Sequence, residues 1–392
     1  MLNLQSRRYT GAKTKLLASV EKILKKSFFS KANEAKTDFD EKALNSKLKN
    51  KAFETKSKKA PLKDSLKSNV KQGSKPDFKA FFEPFAGTAV VSEHFLKNSN
   101  LNHFYINDFL HSNFIIYQGF FSQESFDEKK LLDYAKFYNA LNLKEQNYYS
   151  LYYGDKFFSL KDSIKIGFIR EHLDESLKRK ELSLKEFHIL LASLLYSVDR
   201  IANTVGHYDA YRKNQILKDK FELRLIKPIK TDKKIELFKE DANSLAKRLR
   251  KEFQTKKAKF DCVFLDPPYN SRQYSRFYHL LENLAQNKKP KLYGIALKPE
   301  PENLSKYCQN EAFETLKDLI SNLAPISKNI VMSYNNTTSA NLRSNVKIDF
   351  ESLRDLFLEY GKTKIFEFDF KPFSTGKTKF KEHKERIFWC QI

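Results

Sequence analysis

Short apolar runs alternate along much of the chain with longer stretches whose apolar residues recur every three or four positions. Buried parallel strands read as nearly continuous apolar runs, whereas amphipathic helices show the longer period. The pattern therefore predicts strands at residues 81–82, 104–106, 235–238, 262–265 and 330–332, and a closing hairpin of 365–368 with 386–389. It predicts helices within 14–26, 90–96, 280–284, 311–323 and 353–357, the last one closed by Gly361. This alternation is typical of an α/β protein with a doubly wound sheet and an antiparallel edge.

Two segments interrupt the α/β rhythm. Residues 31–79 contain 14 lysines against seven acidic residues and few bulky apolar ones, which predicts a mobile surface insertion. Its composition fits either a solvated loop or an arm that contacts nucleic acid. Residues 110–230 are rich in Tyr and Phe, with apolar residues at helical spacing between Phe187 and Val198, so we predict an inserted helical subdomain there.

The composition narrows the class of protein. With 41% hydrophobic residues over 392 positions, the chain can form a globular core, and no apolar run approaches the roughly 18 residues of a membrane span. The N-terminal residues lack the apolar segment of a signal peptide. Cys262, Cys308 and Cys390 show no metal-binding spacing. We therefore expect a cytoplasmic protein with reduced core cysteines and no metal.

The formal net charge of +24 points to a class of partner. A cationic excess of this size attracts polyanions and makes their binding dependent on salt. Nucleic acid is the leading partner on this ground, and a ribosome or a membrane surface is the weaker alternative.

The most informative segment follows the predicted strand Cys262–Leu265, which ends abruptly at Asp266, Pro267, Pro268 and Tyr269. The prolines cannot continue a strand because they lack an N–H and fix φ. A carboxylate, backbone carbonyls and an aromatic ring are therefore expected at the C-terminal edge of the sheet, where ligands bind in open α/β folds. This set suits a flat molecule with an amino group, since the ring can stack on its face while the oxygens accept its N–H bonds.

Three other strand ends carry candidate ligand-binding residues. Phe85 and Gly87 lie in the turn after the first strand, where a glycine lets a ligand approach the backbone and a helix N-terminus offers N–H groups. Asp108 ends the second strand, where a carboxylate can hold the hydroxyls of a ribose, and Asp241 follows the third. A strand-to-helix turn or a helix cap explains each one alone, but together they favour a ligand site.

The helical insertion contains a polar and aromatic segment. Its candidate residues are Asn203, His207, Tyr208, Tyr211 and Arg212. Amides, rings and cations are the groups that contact base edges, base faces and phosphates. A polar loop with tyrosines packed on a helix explains the same composition. His207 is a poor candidate for a general base or metal ligand, because the sequence shows no paired His or Cys near it.

These motifs, in this order, resemble the Dam-like, alpha-group adenine-N6 DNA methyltransferases, which include modification enzymes of bacterial restriction systems. The resemblance covers nearly the whole chain except residues 31–79. The matching segments are RYTGAKTKLL at 8–17, FEPFAGT at 82–88, ND at 107–108, DPPYNSRQY at 266–274, HLLE at 279–282, SYNN at 333–336 and HKER at 383–386. The extended match after Asp266 is specific, and the order of the motifs adds to it.

The resemblance implies a Rossmann-like fold that uses S-adenosylmethionine. The cofactor-binding residues that it implies are Tyr9, Lys13, Phe85, Gly87, Asp108 and Asp241. The first two match a motif near the methionine part of the cofactor, and the next two match its binding loop. Asp108 matches the ribose-binding acid and Asp241, more loosely, the acid near the adenine.

The same resemblance implies a domain organisation. Residues 1–30, 80–110 and 231–392 would form the catalytic domain, and 111–230 would form the target-recognition subdomain. The implied catalytic residues are Asp266, Pro267, Pro268 and Tyr269. The implied DNA-binding residues are Asn203, His207, Tyr208, Tyr211, Arg212 and Arg272.

The function implied is methylation of adenine N6 in double-stranded DNA, by base flipping and direct transfer, without a metal. The enzyme would act as a monomer on DNA in the bacterial cytoplasm, at the nucleoid, and would protect DNA from a separate cognate restriction endonuclease. Other amino groups remain alternatives, namely RNA adenine, cytosine N4 or a protein glutamine. A catalytically idle, DNA-binding form of the fold is a further alternative.

The chain departs from the family pattern at two places. Ala89 stands where the family usually has a second glycine, and we expect the start of a helix to tolerate one added methyl group. The 31–79 insertion lengthens the connection between the first two motifs, which costs little because loop-closure entropy grows slowly with length.

Overall fold

The computed structural model describes residues 1–7, 13–28, 79–336, 346–369 and 384–392. The predicted cofactor-binding residue Tyr9 lies outside the described residues. The lysine-rich insertion also lies outside them, apart from Lys79 at its end.

A seven-stranded sheet forms the centre of the fold, and each strand includes the run that predicted it. The strands are β1 (Ala80–Glu83), β2 (His103–Asn107), β3 (Lys234–Phe238), β4 (Cys262–Leu265), β5 (Asn329–Asn335), β6 (Lys362–Asp369) and β7 (Lys384–Gln391). Their order across the sheet is β3-β2-β1-β4-β5-β7-β6. The first five strands run parallel, whereas β7 is antiparallel to both β5 and β6. The predicted α/β sheet with an antiparallel edge is therefore confirmed.

The described residues form twelve α-helices and four short 3-10 segments. The α-helices are α1 (Leu17–Phe28), α2 (Val90–Asn98), α3 (His111–Phe121), α4 (Glu128–Ala140), α5 (Tyr148–Tyr153), α6 (Leu160–Lys178), α7 (Leu184–Ile201), α8 (Ala242–Lys256), α9 (Tyr274–Phe277), α10 (His279–Gln286), α11 (Ala312–Leu323) and α12 (Phe350–Tyr360). The 3-10 segments are Leu4–Ser6, Lys13–Leu16, Lys306–Cys308 and Ala324–Ile326.

Helices cover both faces of the sheet, because successive strand residues point to opposite faces. Phe81 and Phe104 pack on one face with apolar residues of α1, α2, α3, α6, α7 and α10. Phe82, Val263 and Leu265 pack on the other face with residues of α8, α11 and α12. The central strands are apolar along their whole length for this reason.

The segment between β2 and β3 is helical, as predicted, and it extends the core of the sheet. Its apolar helix α7 is capped by Ser183, the residue before it. The Ser183 side chain accepts from the Glu186 N–H, and the Glu186 side chain accepts from the Ser183 N–H. Leu190 and Leu194 of α7 are fully buried in the same apolar cluster as Phe104 of β2. The helices of this segment are thus anchored directly on one face of the sheet.

The three cysteines are free and buried, as predicted. None of the helices in the described ranges is both long enough and apolar enough to span a lipid bilayer.

The junction between α12 and β6 contains a close approach of two backbones. A Cβ added at Gly361 would lie 2.2 Å from the carbonyl oxygen of Gln391 in β7. Since that oxygen belongs to the backbone of a paired strand, it cannot move cheaply. We expect Gly361→Ala to lower the free energy of unfolding by about 2 kcal/mol, as measured by urea denaturation.

The adjacent exposed residue provides the control for this variant. Lys362→Ala should change the free energy of unfolding by less than about 0.5 kcal/mol. Equal unfolding midpoints for the two variants would refute the steric explanation.

Candidate active site

The predicted catalytic residues lie at the C-terminal end of β4, in the middle of the sheet. The residues of β4 are fully buried between β1 and β5, and Pro267 and Pro268 end the strand. The Asp266 side chain follows β4 directly and is 18% exposed. The strand order reverses between β1 and β4, and such a switch point is where open α/β sheets bind ligands.

A cleft of about 960 Å³, including the solvent at its mouth, opens at this switch point. Its lining brings together all the predicted cofactor-binding and catalytic residues that the structure describes. These are Lys13, Phe85, Gly87, Asp108, Asp241, Asp266, Pro267, Pro268 and Tyr269. Residues that are far apart in sequence therefore share one cleft.

The cleft is acidic although the protein as a whole is strongly basic. The carboxylates that line it are Glu83, Asp108, Glu240, Asp241 and Asp266, against a single lysine among the described lining residues, Lys13. Burial raises the pKa of the Glu83 carboxyl to about 8, and the nearby Asp266 and Asp108 charges add to the shift. A cationic ligand would favour the ionised forms of these acids and bind tightly for the same reason.

The turn after β1 presents its backbone to the cleft. Gly87 has φ 53°, in the left-handed region that glycine adopts without strain. Its N–H donates to Oδ2 of Asp108 at 2.8 Å, and its carbonyl accepts from the Tyr117 hydroxyl at 2.7 Å. Phe85 contacts the ring of Tyr307 edge-on, with ring centroids 5.0 Å apart. The turn is therefore held rigidly between β2, α3 and the segment before α11.

Ala89, which replaces the expected second glycine, adopts the conformation of a glycine. Its φ is 55°, and it is the residue immediately before α2. Its side chain is fully buried, so the fold accommodates the methyl group sterically. The left-handed backbone costs an alanine roughly 1–2 kcal/mol relative to its preferred conformation.

Asp108 is held by backbone donors on both oxygens. In addition to Gly87, the N–H of Leu110 donates to its Oδ1 at 2.9 Å. Burial raises its pKa, while these hydrogen bonds, the Asn113 side chain and the charge of Arg7 oppose the shift. Arg7 donates to Asn113 at 2.5 Å, so the N-terminal segment buttresses the predicted ribose-binding residue.

Asp241 has the geometry of a helix cap, one of the two alternatives that its sequence left open. Its Oδ1 accepts from the N–H of Ser244 at 3.0 Å, at the start of α8. It also lines the cleft, so capping and ligand contact are compatible at this position.

Lys13 forms a buried ion pair with two carboxylates. Its Nζ lies 3.0 Å from Oδ1 of Asp266 and 2.8 Å from Oε1 of Glu385 in β7. The Glu385 carboxylate also accepts from the hydroxyl of Ser333 in β5. Burial alone would lower the pKa of Lys13, but the charges of Asp266 and Glu385 raise it above its usual value. Lys13 therefore stays charged beside the carboxylate of Asp266, the predicted catalytic residue.

The same contacts set the ionisation of Asp266. Burial raises its pKa to about 6, the charge of Lys13 lowers it, and the charge of Glu385 raises it. The carboxylate is therefore poised to change protonation close to neutral pH, as is common for groups with a catalytic role.

Tyr269 is held in place from several sides. Its ring meets Tyr334 edge-on at 5.9 Å, and Lys13 Nζ lies 5.7 Å from its centroid. Its carbonyl accepts from the N–H of Lys347 at 2.8 Å. Burial raises the pKa of its hydroxyl to about 12, so the ring is neutral.

The predicted DNA-contacting loop docks on the segment that follows the predicted catalytic residues 266–269. The N–H of Tyr208 donates to the carbonyl of Phe277 at 2.8 Å, and the carbonyl of Tyr208 lies 3.0 Å from Nε2 of His279. The rings of His207 and Phe277 stack at 4.7 Å, and the guanidinium of Arg272 lies 5.7 Å from the Phe277 centroid. The fold thus brings His207 and Arg272 together on one ring.

Two of the DNA-binding candidates make hydrogen bonds within the fold. Tyr208 is fully buried, with its hydroxyl on Asp199 at 3.0 Å, so its ring cannot contact DNA in this conformation. Asn203 uses its amide to hold the carbonyls of Lys156 and Arg212, both at 2.9 Å. These contacts are the ones expected of a polar loop with packed tyrosines, and DNA binding at the two positions stays a prediction.

Tyr211 and Arg212 lie nearer the surface. Tyr211 is half-buried and packs on Phe157 at 5.3 Å, whereas Arg212 is exposed. Arg212 is therefore the candidate in this loop whose side chain is best placed to meet a phosphate.

Two site residues were not among the candidates from sequence. Glu83 ends β1, lines the cleft and accepts from the N–H of Ser92 at 3.0 Å. Glu385 holds Lys13. Both lie inside segments that match the family, but no local pattern separates them from ordinary acids.

The seven-stranded sheet with its antiparallel strand β7 is consistent with the fold of S-adenosylmethionine-dependent methyltransferases. A family model described as D12 class N6 adenine-specific DNA methyltransferase matches residues 57–312, more than half of the chain. The chain belongs to this family, which implies the use of S-adenosylmethionine.

Similar proteins of known name are restriction-modification methylases. The modification methylase StsI of Streptococcus sanguinis is 29% identical over 83% of this chain and 50% of its own length. The type II methyltransferase M.FokI of Planomicrobium okeanokoites is 30% identical over 64% of this chain and 40% of its own length. M.NlaIII of Neisseria lactamica is 26% identical over 81% of this chain and 90% of its own length. The chain thus spans half or less of the first two relatives and most of the third.

The strained backbone at Ala89 leads to a stability prediction. Ala89→Gly should raise the free energy of unfolding by about 1 kcal/mol, because glycine adopts the left-handed region without the steric cost. Thermal and urea denaturation would measure it.

Ala86 in the same turn is the matched control, because its φ is not positive. Ala86→Gly should destabilise the protein by roughly 0.5–1 kcal/mol through added chain entropy. If both variants destabilise to the same degree, backbone strain at Ala89 is not the controlling factor.

Proposed function

We propose that this chain transfers a methyl group from S-adenosylmethionine to the N6 amino group of adenine in double-stranded DNA. The observation that carries the proposal is the shared cleft, in which Asp266, paired with Lys13, lies beside the Gly87 turn and Asp108. We further propose that the product protects DNA from a cognate restriction endonuclease, as part of a restriction-modification pair.

The cleft fits the methyl donor in charge and shape. S-adenosylmethionine carries a sulfonium and an ammonium group, which the ionised carboxylates among the five acidic residues that line the cleft would attract. Gly87 lets the backbone approach closely, and Asp108 can accept from ribose hydroxyls. Phe85 offers a ring to the adenine moiety and Asp241 an acceptor for its amino group. When bound, the donor supplies an electrophilic methyl group.

The tetrapeptide prepares the nucleophile. The lone pair of an adenine amino nitrogen is delocalised into the ring, so the nitrogen is a weak nucleophile. The Asp266 carboxylate and the Pro267 carbonyl accept its two N–H bonds, which pulls the nitrogen toward sp³ geometry and localises its lone pair, aimed at the methyl group. Tyr269 stacks on the base. Preorganised acceptors of this kind supply much of the rate without reorganisation during the reaction.

The amino group must be taken out of the duplex before it can reach Asp266. Base flipping costs a few kcal/mol of stacking and pairing, which favourable contacts to the phosphates must offset. The net charge of +24 provides a source of such contacts. We propose that His207, Arg212 and Arg272 contact DNA, and that the enzyme acts as a monomer at the bacterial nucleoid.

Asp266 is the first residue to test. Asp266→Ala should lower kcat at least a hundredfold, because it removes the acceptor that activates the amino group, while binding of S-adenosylmethionine measured by calorimetry changes little. Transfer of a labelled methyl group to DNA, RNA and protein would be compared for both forms. Modified-base sequencing of DNA from cells that express each form would map the base and the site.

Retained DNA methylation by Asp266→Ala would rule out the assigned role. Transfer of the labelled methyl group to RNA or protein, and not to DNA, would instead rule out double-stranded DNA as the substrate.

The pH dependence of kcat/KM, which reports the ionisation of the free enzyme, tests the Lys13 ion pair. Only ionised Asp266 accepts an N–H on either oxygen, so activity should fall as the pH drops through about 6. In Lys13→Met the lost positive charge leaves the pKa of Asp266 higher, so the acidic limb should move to higher pH by about one unit or more. Lys13→Arg keeps the charge and should keep the limb near its original pH. A Lys13→Met profile that is merely lower at every pH would contradict the electrostatic role.

A further inference from the structure

A short hairpin projects from the segment that follows α10. The N–H of Tyr293 donates to the carbonyl of Lys298 at 2.8 Å, and the N–H of Lys298 donates to the carbonyl of Tyr293 at 3.0 Å. This pair closes a tight loop, and we call the whole segment the 293–298 hairpin. A Cβ added at Gly294 would meet no atom within 4 Å, so the tip stands clear of the rest of the described chain.

The hairpin has an inner and an outer apolar side. Leu292 and Leu297 pack against the large apolar cluster that includes residues of α7 and α10. Tyr293 is 45% exposed and Ile295 is 70% exposed, so packing explains the leucines and not these two residues. Single exposed apolar residues are common on soluble proteins, but two of them at a projecting tip favour an interaction site.

The hairpin is attached to two segments with predicted functional roles. Nζ of Lys298 forms an ion pair with Asp209, in the predicted DNA-contacting loop 203–212. Arg276, in the segment after the predicted catalytic residues, donates to the carbonyl of Pro299. The hairpin is thus held between the two segments.

The hairpin is also close to the candidate active site. Tyr293 lines a neighbouring cavity, and that cavity shares Ser275 and Asn303 with the cleft that contains Asp266. An adenine must leave the duplex to reach Asp266, so the base pairs around it would lie beside the hairpin.

The chemistry of the tip suits the gap that a flipped base leaves. Apolar side chains that enter a base step can take the place of lost stacking and hold the duplex open. Ile295 is β-branched and therefore stiff, so it loses little freedom on insertion. The nearby Lys288 and Lys289 are ion-paired with Glu302 and Glu171. Their charges are already balanced, and the apolar tip is the feature that these contacts leave unexplained.

From this arrangement we infer that the 293–298 hairpin inserts Ile295 into the base stack of the DNA, beside the adenine that is flipped out. This inference rests on the proposed function. Ile295 is then a positioning residue. It does not touch the reacting atoms, but it stabilises the open form of the duplex from which the adenine reaches Asp266.

The test compares two duplexes of the methylated sequence, once that sequence is mapped. In one the target adenine is paired with thymine, and in the other it faces an abasic site. The abasic partner removes the cost of breaking the pair, so the adenine should leave the stack without help from the hairpin. Ile295→Ser should therefore lower the single-turnover rate constant at saturating DNA about tenfold on the paired duplex and less than about twofold on the abasic one.

A second measurement follows the flipped base directly. With 2-aminopurine at the target position, the rise in fluorescence on binding of the wild type should fall by more than about half with Ile295→Ser. Ile295→Leu keeps an apolar side chain and should retain at least about half of the wild-type rate constant on the paired duplex.

Ile392→Ser is the matched control. Ile392 is another exposed isoleucine, and its N–H donates to the carbonyl of Lys328 just before β5 begins. It therefore lies at the edge of the sheet opposite the cleft, and the serine variant should match the wild type on both duplexes. Because Ile295 is exposed, Ile295→Ser should also keep the urea unfolding midpoint of the wild type.

Two results would overturn the inference. The first is a loss of rate by the same factor on both duplexes with Ile295→Ser, which would mean that the side chain does not act on base flipping. The second is a wild-type rate constant and fluorescence rise in Ile295→Ser on the paired duplex. Failure of the proposed function itself would appear differently, as no methylation of either duplex by the wild type.

Discussion

The buried ion pair at Lys13 is the interaction on which the candidate active site depends. It joins the N-terminal segment, the end of β4 and the antiparallel strand β7 at one nitrogen. Removing one partner from a buried pair typically costs 3–5 kcal/mol, because the remaining charge is left uncompensated. The same contacts hold the Asp266 side chain in place and set its pKa. The arrangement around Asp266 therefore forms only when the N-terminal segment, β4 and β7 are all in position.

The distribution of charge separates two tasks on one chain. The protein has a net charge of +24, yet the residues that line the catalytic cleft include five carboxylates and one lysine. A positive exterior holds a polyanion, whereas a negative cleft prefers a small cation and repels phosphate. Two ligands of opposite charge can therefore approach the same catalytic edge without competing for the same groups.

Much of the fold was predictable because strands and helices leave local periodic signals. The end of β4 was predictable as well, since two prolines dictate it regardless of context. The contact of Lys13 with Glu385 was not, because 372 positions separate them and no local pattern links them. Tyr208 shows a different limit. The same aromatic residue types stack on bases and fill protein cores, so the sequence does not distinguish the two roles. Only the three-dimensional packing does.

The docking of the 203–212 loop on the residues after the tetrapeptide has an evolutionary consequence. Backbone hydrogen bonds and a ring stack join Tyr208 and His207 to Phe277 and His279. The loop therefore cannot be replaced without changing the residues that it contacts. A lineage that acquires a new loop must acquire a matching surface near Phe277 at the same time, or lose these contacts. Relatives that differ in one of the two segments should accordingly differ in the other.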